Sequence, residues 1–171
     1  YIFEPLVERH NRQQFTFFCC DSKGRWDGVN NRLRALADGW RETALWSDAQ
    51  LAKQIAADQI DILIDLAGHT ADNRLGVFAR RGAPVQVTWL GHPNTTGLPA
   101  MDWRLSDWVA DPVGVEARYS ERLWRIPSVF CVYRPGIREP EKLGSIEYTP
   151  RPTPALRNGF ITFGTLNNMG K

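Results

Sequence analysis

The stretch from Ile60 to Leu90 constrains the fold of this chain more than any other. Ile60-Asp61-Ile62-Leu63-Ile64-Asp65-Leu66-Ala67 is rich in β-branched residues and halts at Gly68, which predicts a buried strand. Leu75, Phe78 and Ala79 then recur at helical spacing, with Gly82 placed to end the helix. Pro84-Val85-Gln86-Val87-Thr88-Trp89-Leu90 is a second strand, stopped by Gly91. A hairpin needs only a few linking residues, whereas strand, helix and strand within about 30 residues is the length of a parallel crossover. The two strands are therefore expected side by side and parallel.

The chain on either side extends the alternation. Thr16 to Cys20 is a short apolar, aromatic-rich run followed by the turn signal Asp21-Ser22-Lys23-Gly24. Val29, Leu33, Leu36, Ala37 and Trp40 fall on one face of a helix. Ser47-Asp48-Ala49-Gln50 is a capping box opening a further helix with Leu51 and Ile55 on its apolar side. Together these predict a doubly wound α/β fold with a parallel sheet. Beyond Gly91, Met101 to Asp107 reads as a short strand, Val115 to Leu123 as a short helix and Leu123 to Ile126 as a brief strand. At the opening, apolar residues at positions 2, 3, 6 and 7 are helical in spacing, and Pro5 is tolerable there only in a first turn. With no capping residue and no initiator Met before it, the chain is expected to start inside an element. Tyr133 to Pro154 has the Pro, Gly and charge content of a linker, and Gly159 to Gly164 is a fresh β-like run that opens a second domain.

Composition narrows the function classes. Of 171 residues, 43% are apolar and 23% charged, which excludes a disordered tail or a fibrous repeat. No apolar run approaches the roughly 20 residues that span a bilayer, and no signal-peptide pattern opens the chain. A net charge of +2 gives no argument for a nucleic-acid or membrane partner. Among the 21 basic residues only Lys23, Lys53, Lys142 and Lys171 are lysines, so a few of the arginines are expected in bidentate contacts. The 3 cysteines, two of them adjacent, suit reduced thiols of a cytoplasmic protein, with Cys19 and Cys20 as small buried hydrophobes. The 7 Trp are expected mostly in the core, and His10 on the surface.

In open parallel sheets, ligands bind outside the carboxyl ends of the strands. Three such ends carry polar, Gly-containing loops: Gly68-His69-Thr70, Gly91-His92-Pro93-Asn94-Thr95-Thr96-Gly97, and Gly164-Thr165-Leu166-Asn167-Asn168-Met169-Gly170-Lys171. Gly permits close backbone approach, Thr and Asn offer neutral hydrogen bonds, and Lys neutralises phosphate. That set suits a neutral polar ligand attached to a phosphate, such as a sugar nucleotide, with ordinary turns as the alternative. Gly91 to Gly97 lacks the Gly-x-Gly-x-x-Gly of a dinucleotide fingerprint, and Asn168 to Lys171 is not a P-loop. His69 and His92 are candidates for acid–base work or, alternatively, hydrogen-bonded turn residues. Asp65, if buried, needs a partner and is expected to be structural.

Three blocks carry a resemblance: Asp61 through Thr70, Asn73-Arg74-Leu75 with Phe78-Ala79-Arg80-Arg81, and Ala83 through Gly91. They closely resemble the bacterial members of the O-linked N-acetylglucosamine transferase family, relatives of the SPINDLY proteins that are often preceded by tetratricopeptide repeats. The similarity continues through Thr95-Thr96-Gly97, Met101-Asp102, Asp111-Pro112, Tyr119-Ser120-Glu121 and Leu123 to Pro127, and ends at Phe163 to Lys171.

The resemblance implies a GT-B glycosyltransferase, in which two Rossmann-like domains face each other across a cleft holding UDP-N-acetylglucosamine. The reaction would be inverting transfer of the sugar to Ser or Thr hydroxyls of a protein or peptide acceptor, with no metal and no other cofactor. This chain would supply the N-terminal catalytic domain, truncated at its start (1–132), the interdomain linker (133–156), and the first strand and loop of the C-terminal UDP-binding domain (157–171). The family's Trp-Leu-Gly segment lines the donor sugar, which implicates Leu90 and Gly91. Its diphosphate-contacting segment matches Asn168 and Lys171, and Lys171 would be the catalytic group that stabilises the UDP leaving group. His69, His92, Thr95 and Thr96 would form the acceptor or sugar-side loops.

His92 stands where relatives more often carry Tyr, and Asn94 where they often carry Gly, which puts acceptor contacts in doubt. The family's His-Pro-Thr loop would precede Tyr1 and its uridine-binding loops would follow Lys171. The isolated chain is therefore expected to show no turnover and at best very weak UDP binding. Two alternatives stand beside this reading: an N-glucosyltransferase or another sugar-nucleotide enzyme of the same family, and a non-catalytic α/β ligand-binding or scaffold module.

Overall fold

The computed structural model describes residues 2–24, 27–134 and 152–164. The chain divides into two compact units, Tyr1–Pro135 and Gly136–Lys171.

In the first unit, helix α1 (Glu4–Arg9) carries Pro5 in its first turn, where a missing N–H breaks no helical bond. Strands β1 (Phe18–Asp21) and β2 (Gly39–Glu42) pair in parallel, Phe18 opposite Gly39 and Asp21 opposite Glu42. Helix α2 (Gly28–Leu36) joins them and ends before Trp40, which the sequence pattern had assigned to the helix but which lies in β2. The reason is a long-range clasp: the Asp38 and Gly39 N–H groups donate to Phe17 O, while the Asp38 carboxylate accepts the Phe17 N–H at 2.8 Å. That exchange draws the chain out of the helix and into the sheet.

Helix α3 (Asp48–Ala57) begins at the expected capping box, with Ser47 and Gln50 each satisfying the other's backbone N–H. Strand β3 (Ile62–Asp65), helix α4 (Leu75–Ala79) and strand β4 (Val85–Thr88) form the strand–helix–strand unit, with β3 and β4 parallel as expected. Strands β5 (Trp103–Asp107) and β6 (Arg122–Ile126) extend it into a four-stranded parallel sheet of order β3-β4-β5-β6. The helix expected from Val115 to Leu123 is a single 3-10 turn, Glu116–Arg118. The core lies where α3 and α4 meet: Leu51, Ala52, Ile55, Leu75, Val77, Phe78, Ala83 and Met101 are buried together. Each large side chain fully buried there contributes about 1.5–3 kcal/mol.

Several expectations are corrected. The left-handed residue after α4 is Arg81, not Gly82. Gly82 instead permits close approach of α3, since a Cβ there would lie 3.1 Å from Ala52 O. Strand β3 is not buried on both faces: Leu63 packs against the α3–α4 core, whereas Ile62 and Ile64, on the opposite face, are 51% and 44% exposed. Cys19 is half-buried, and its burial pushes the thiol up to about 12, but Cys20 is exposed beside it on the two-stranded sheet. Of the described Trp residues Trp89 is buried, whereas Trp108 and Trp124 are more than half exposed. Guanidinium groups cover two of the rings instead, Arg122 over Trp103 at 4.0 Å and Arg125 over Trp108 at 5.2 Å. His10 is half-buried, with Nδ1 2.6 Å from Val7 O. The expected bidentate arginine is found at Arg41, whose Nε and a terminal nitrogen meet the two Asp58 oxygens at 3.0 and 2.6 Å.

In the second unit, helix α5 (Pro154–Asn158) is closed by Gly159 in the left-handed region. It spans the linker boundary expected at 156. The strand expected over 159–164 is not formed, because a strand exists through its ladder and these residues pair with no described strand. No helix among the described residues is long and apolar enough to cross a membrane.

Candidate functional site

The loops after β3 and β4 meet at the carboxyl edge of the four-stranded sheet. Asp65 ends β3 and is buried, with three donors on its carboxylate: Ala67 N–H at 3.0 Å, Gly68 N–H at 2.9 Å and the Thr88 hydroxyl at 2.8 Å. The structural role expected of it is the one it has. It pins the β3 loop to the end of β4, and the two loops then interlock. His92 N–H donates to Ala67 O at 3.3 Å. Leu90 and Gly91 are both left-handed, at φ 62 and 61. A Cβ on Gly91 would come within 2.4 Å of the Ala67 carbonyl carbon and oxygen, so only glycine fits this approach. Leu90 has no such exemption, and about 1–2 kcal/mol of backbone strain is held there.

The far end of the second loop is tied to the start of β6. The buried Glu121 carboxylate accepts the Thr96 N–H at 2.7 Å, the Thr95 hydroxyl at 2.8 Å and the Thr96 hydroxyl. Burial works against the charged form of Glu121, yet the Thr96 and Thr95 hydrogen bonds hold its carboxyl below the ordinary range. The Thr96 carbonyl in turn lies 2.9 Å from His69 Nε2. Behind the loop, Arg104 reaches Asn94 O at 3.1 Å and pairs with buried Asp111, which also accepts the Ser106 and Tyr119 hydroxyls. Asp107, at the end of β5, accepts the N–H groups of Ala110 and Phe130, while Trp89 Nε1 donates to Phe130 O.

These contacts bring six of the residues singled out from the sequence into one cluster. Leu90 is half-buried, Gly91, His69 and His92 are exposed, and the two imidazoles meet edge to face with centroids 6.2 Å apart. Thr95 is half-buried and Thr96 buried, their hydroxyls committed to Glu121. Asn168 and Lys171, with most of the third loop, lie outside the described residues. Beside the cluster a cleft of ≈ 360 Å³ separates β1 from β3, lined by Cys20, Lys23, Asp65, Ala67, Asp72 and Arg74 among others. Arg74 is already spent there on Asp48, Thr43 O and Trp46 O.

The carboxylates of Asp65, Asp107, Asp111 and Glu121 are all engaged by donors beneath the loops. Above them the loops present the His69 and His92 imidazoles and backbone, with charge confined to the exposed Lys23–Asp72 pair, 3.8 Å apart, at the cleft; such a surface suits a hydroxyl-rich ligand. Sequence reasoning missed Glu121 as the anchor of the Thr95-Thr96 turn. No local pattern could have found it, since the partners are 25 and 26 residues apart.

A family model described as Glycosyl transferase family 41 matches residues 2–134. Across its whole length the chain is 42% identical to a probable UDP-N-acetylglucosamine–peptide N-acetylglucosaminyltransferase SPINDLY of Eustoma exaltatum subsp. russellianum, of which the match covers 18%. It is 31% identical over 135 residues, 77% of this chain and 12% of the relative, to the UDP-N-acetylglucosamine–peptide N-acetylglucosaminyltransferase of Caenorhabditis elegans. Among solved structures, a mutant of the Thermobaculum terrenum O-GlcNAc transferase matches with a TM-score of 0.74 and 43% identity, over 75% of this chain and 25% of that one. The chain thus spans about a fifth of the length of the curated relatives it matches. It is an α/β chain of parallel sheets whose sequence and structure agree on one assignment: it belongs to glycosyl transferase family 41.

Proposed function

We propose that this chain works within a GT-B glycosyltransferase that moves N-acetylglucosamine from UDP-N-acetylglucosamine to Ser or Thr hydroxyls of proteins. The reading is carried by the family match over 2–134, which includes the Leu90-Gly91 turn held against Ala67. In it, Leu90 and Gly91 border the donor sugar, and His69 and His92 face the hydroxyl-bearing substrates. Thr95 and Thr96 hold their loop in place. Asn168 contacts the diphosphate, and Lys171 stabilises the charge that develops on UDP as the glycosidic bond breaks. The domain plan is a catalytic domain over 1–132, a linker over 133–156 and the start of a UDP-binding domain over 157–171. The three cysteines are free, in keeping with a cytoplasmic enzyme.

The test is mass spectrometry of acceptor proteins incubated with the full-length transferase and each of a panel of sugar nucleotides. Addition of N-acetylhexosamine to Ser or Thr is the expected product; transfer of another sugar, or to Asn, overturns the donor or acceptor assignment. In the same enzyme Lys171→Ala should lower turnover by about 10²–10³ with donor binding largely kept. Unchanged turnover would remove Lys171 from the chemistry.

A further inference from the structure

We infer that Glu121 is a positioning residue which, through Thr96, fixes His69 as its Nε2–H tautomer and so presents Nδ1 as the acceptor for a substrate hydroxyl. The inference rests on the glycosyltransferase reading only for the source of that hydroxyl.

The chain of contacts is continuous. Glu121 is buried and grips Thr96 through both its N–H, at 2.7 Å, and its hydroxyl, so the peptide that follows has little freedom to turn. Thr95 adds a third bond at 2.8 Å, and its hydroxyl also takes the Ser120 N–H at 3.2 Å. With Thr96 held, its carbonyl lies 2.9 Å from His69 Nε2. A carbonyl oxygen only accepts, so the neutral imidazole must carry its hydrogen on Nε2, leaving the lone pair on Nδ1. His69 is exposed, and its ring stands edge to face with exposed His92. The tethered, exposed ring is thus left with Nδ1 as its acceptor, a choice an untethered imidazole would not make. The hydroxyl that Nδ1 accepts belongs either to the sugar of the donor or to the Ser or Thr being modified.

The tautomer is read directly by nitrogen-detected NMR of the chain labelled at its 3 histidines, well above the ordinary imidazole range of titration. One histidine should show a fixed Nε2–H tautomer that His69→Gln removes from the spectrum. Glu121→Ala should return that ring to a mixture, and Thr95→Val with Thr96→Val, which leaves only the backbone N–H bond to Glu121, should move it part of the way, while Glu121→Gln, which keeps an acceptor facing Thr96, should restore it. The isosteric Thr-to-Val pair gives the answer if Glu121→Ala fails to fold. A wild-type ring that is mixed or Nδ1-protonated, or one unmoved by these variants, overturns the inference whether or not the enzyme is a transferase.

The source of the hydroxyl is read in the full-length transferase. His69→Gln can keep an amide donor for the Thr96 carbonyl but removes the ring and with it the acceptor at the Nδ1 position, its own amide oxygen lying elsewhere. It should raise KM by about tenfold for one substrate, the size of a lost hydrogen bond. A rise for the sugar nucleotide assigns the hydroxyl to the donor, and a rise for the peptide assigns it to the acceptor. No change in either KM or kcat overturns the role given to Nδ1. Absence of transfer by the wild type would instead defeat the glycosyltransferase reading and leave the tautomer result standing.

Discussion

The two sheets of the first unit use the same device at their strand ends, and it carries different weight in each. Strands β1, β3 and β5 all finish on an aspartate that accepts the N–H two residues on: Lys23 for Asp21, Ala67 for Asp65, Val109 for Asp107. Each also takes the N–H three residues on and one long-range donor. In the four-stranded sheet Asp65 and Asp107 are buried, so their donors have no water to fall back on. Asp21 sits half-exposed on the two-stranded sheet, where water replaces what the carboxylate gives. The adjoining helix α2 buries none of its residues. A turn motif is therefore only as strong as the cover above it.

The largest effect expected from this contrast is at a glycine. Gly91 and Gly97 share the left-handed backbone, at φ +61 and +70, but a Cβ meets nothing within 4 Å at Gly97 and the Ala67 carbonyl at 2.4 Å at Gly91. In urea unfolding, Gly97→Ala should cost only the backbone penalty of about 1–2 kcal/mol. Gly91→Ala should cost about 3 kcal/mol or more, because the β3 loop must move as well. Equal costs would mean the two loops are not interlocked.

The aspartates give the next step down. Asp65→Ala strands two backbone N–H groups and the Thr88 hydroxyl in the interior, and about 3 kcal/mol is expected from the same measurement. Asp21→Ala leaves its donors to solvent and should cost about 1 kcal/mol or less. A cost at Asp21 that matched Asp65 would show the two-stranded sheet to be better covered than its exposed Phe18 and Cys20 indicate.

What could be read from the sequence follows the same divide. The Ser47–Gln50 capping box was legible because both partners lie within one turn. So was the β3–α4–β4 unit, whose parallel pairing follows from the length of its crossover. Strand β2 was not: Gly39-Trp40-Arg41-Glu42 has no apolar alternation, and the clasp between Asp38 and Phe17 that creates it spans 21 residues. The cover over β3 was misread for a related reason, since a run of Ile and Leu reports hydrophobicity but not which faces have neighbours. At the candidate site the pattern located the loops and singled out His69 and His92, while Leu90 and Gly91 came from the family resemblance alone. It could not show that Thr96 is held by Glu121, nor that Leu90 is left-handed, because both depend on groups distant in sequence.

Acid sharpens the comparison at its smallest scale. Asp111, in the four-stranded half, is buried; burial opposes its charge, but hydrogen bonds from Ser106, Tyr119 and Arg104 prevail and hold its carboxyl below the usual range. Asp38, beside the two-stranded sheet, is also held low, by the Phe17 N–H first and then by Arg12 and His10, but with water at hand. A carboxylate depressed in the folded state adds stability that is fully present above its unfolded value, about 4, and is lost as the pH falls through the folded one. Asp111→Asn should therefore lower the melting temperature near neutrality, with the gap to wild type closing as the pH drops below about 4. Asp38→Asn should show the same convergence over a smaller gap, because solvent screens what the charge contributes. If the two variants converge from gaps of equal size, burial is not what separates the two halves, and the weight given to Asp65 and Glu121 beneath the loops falls with it.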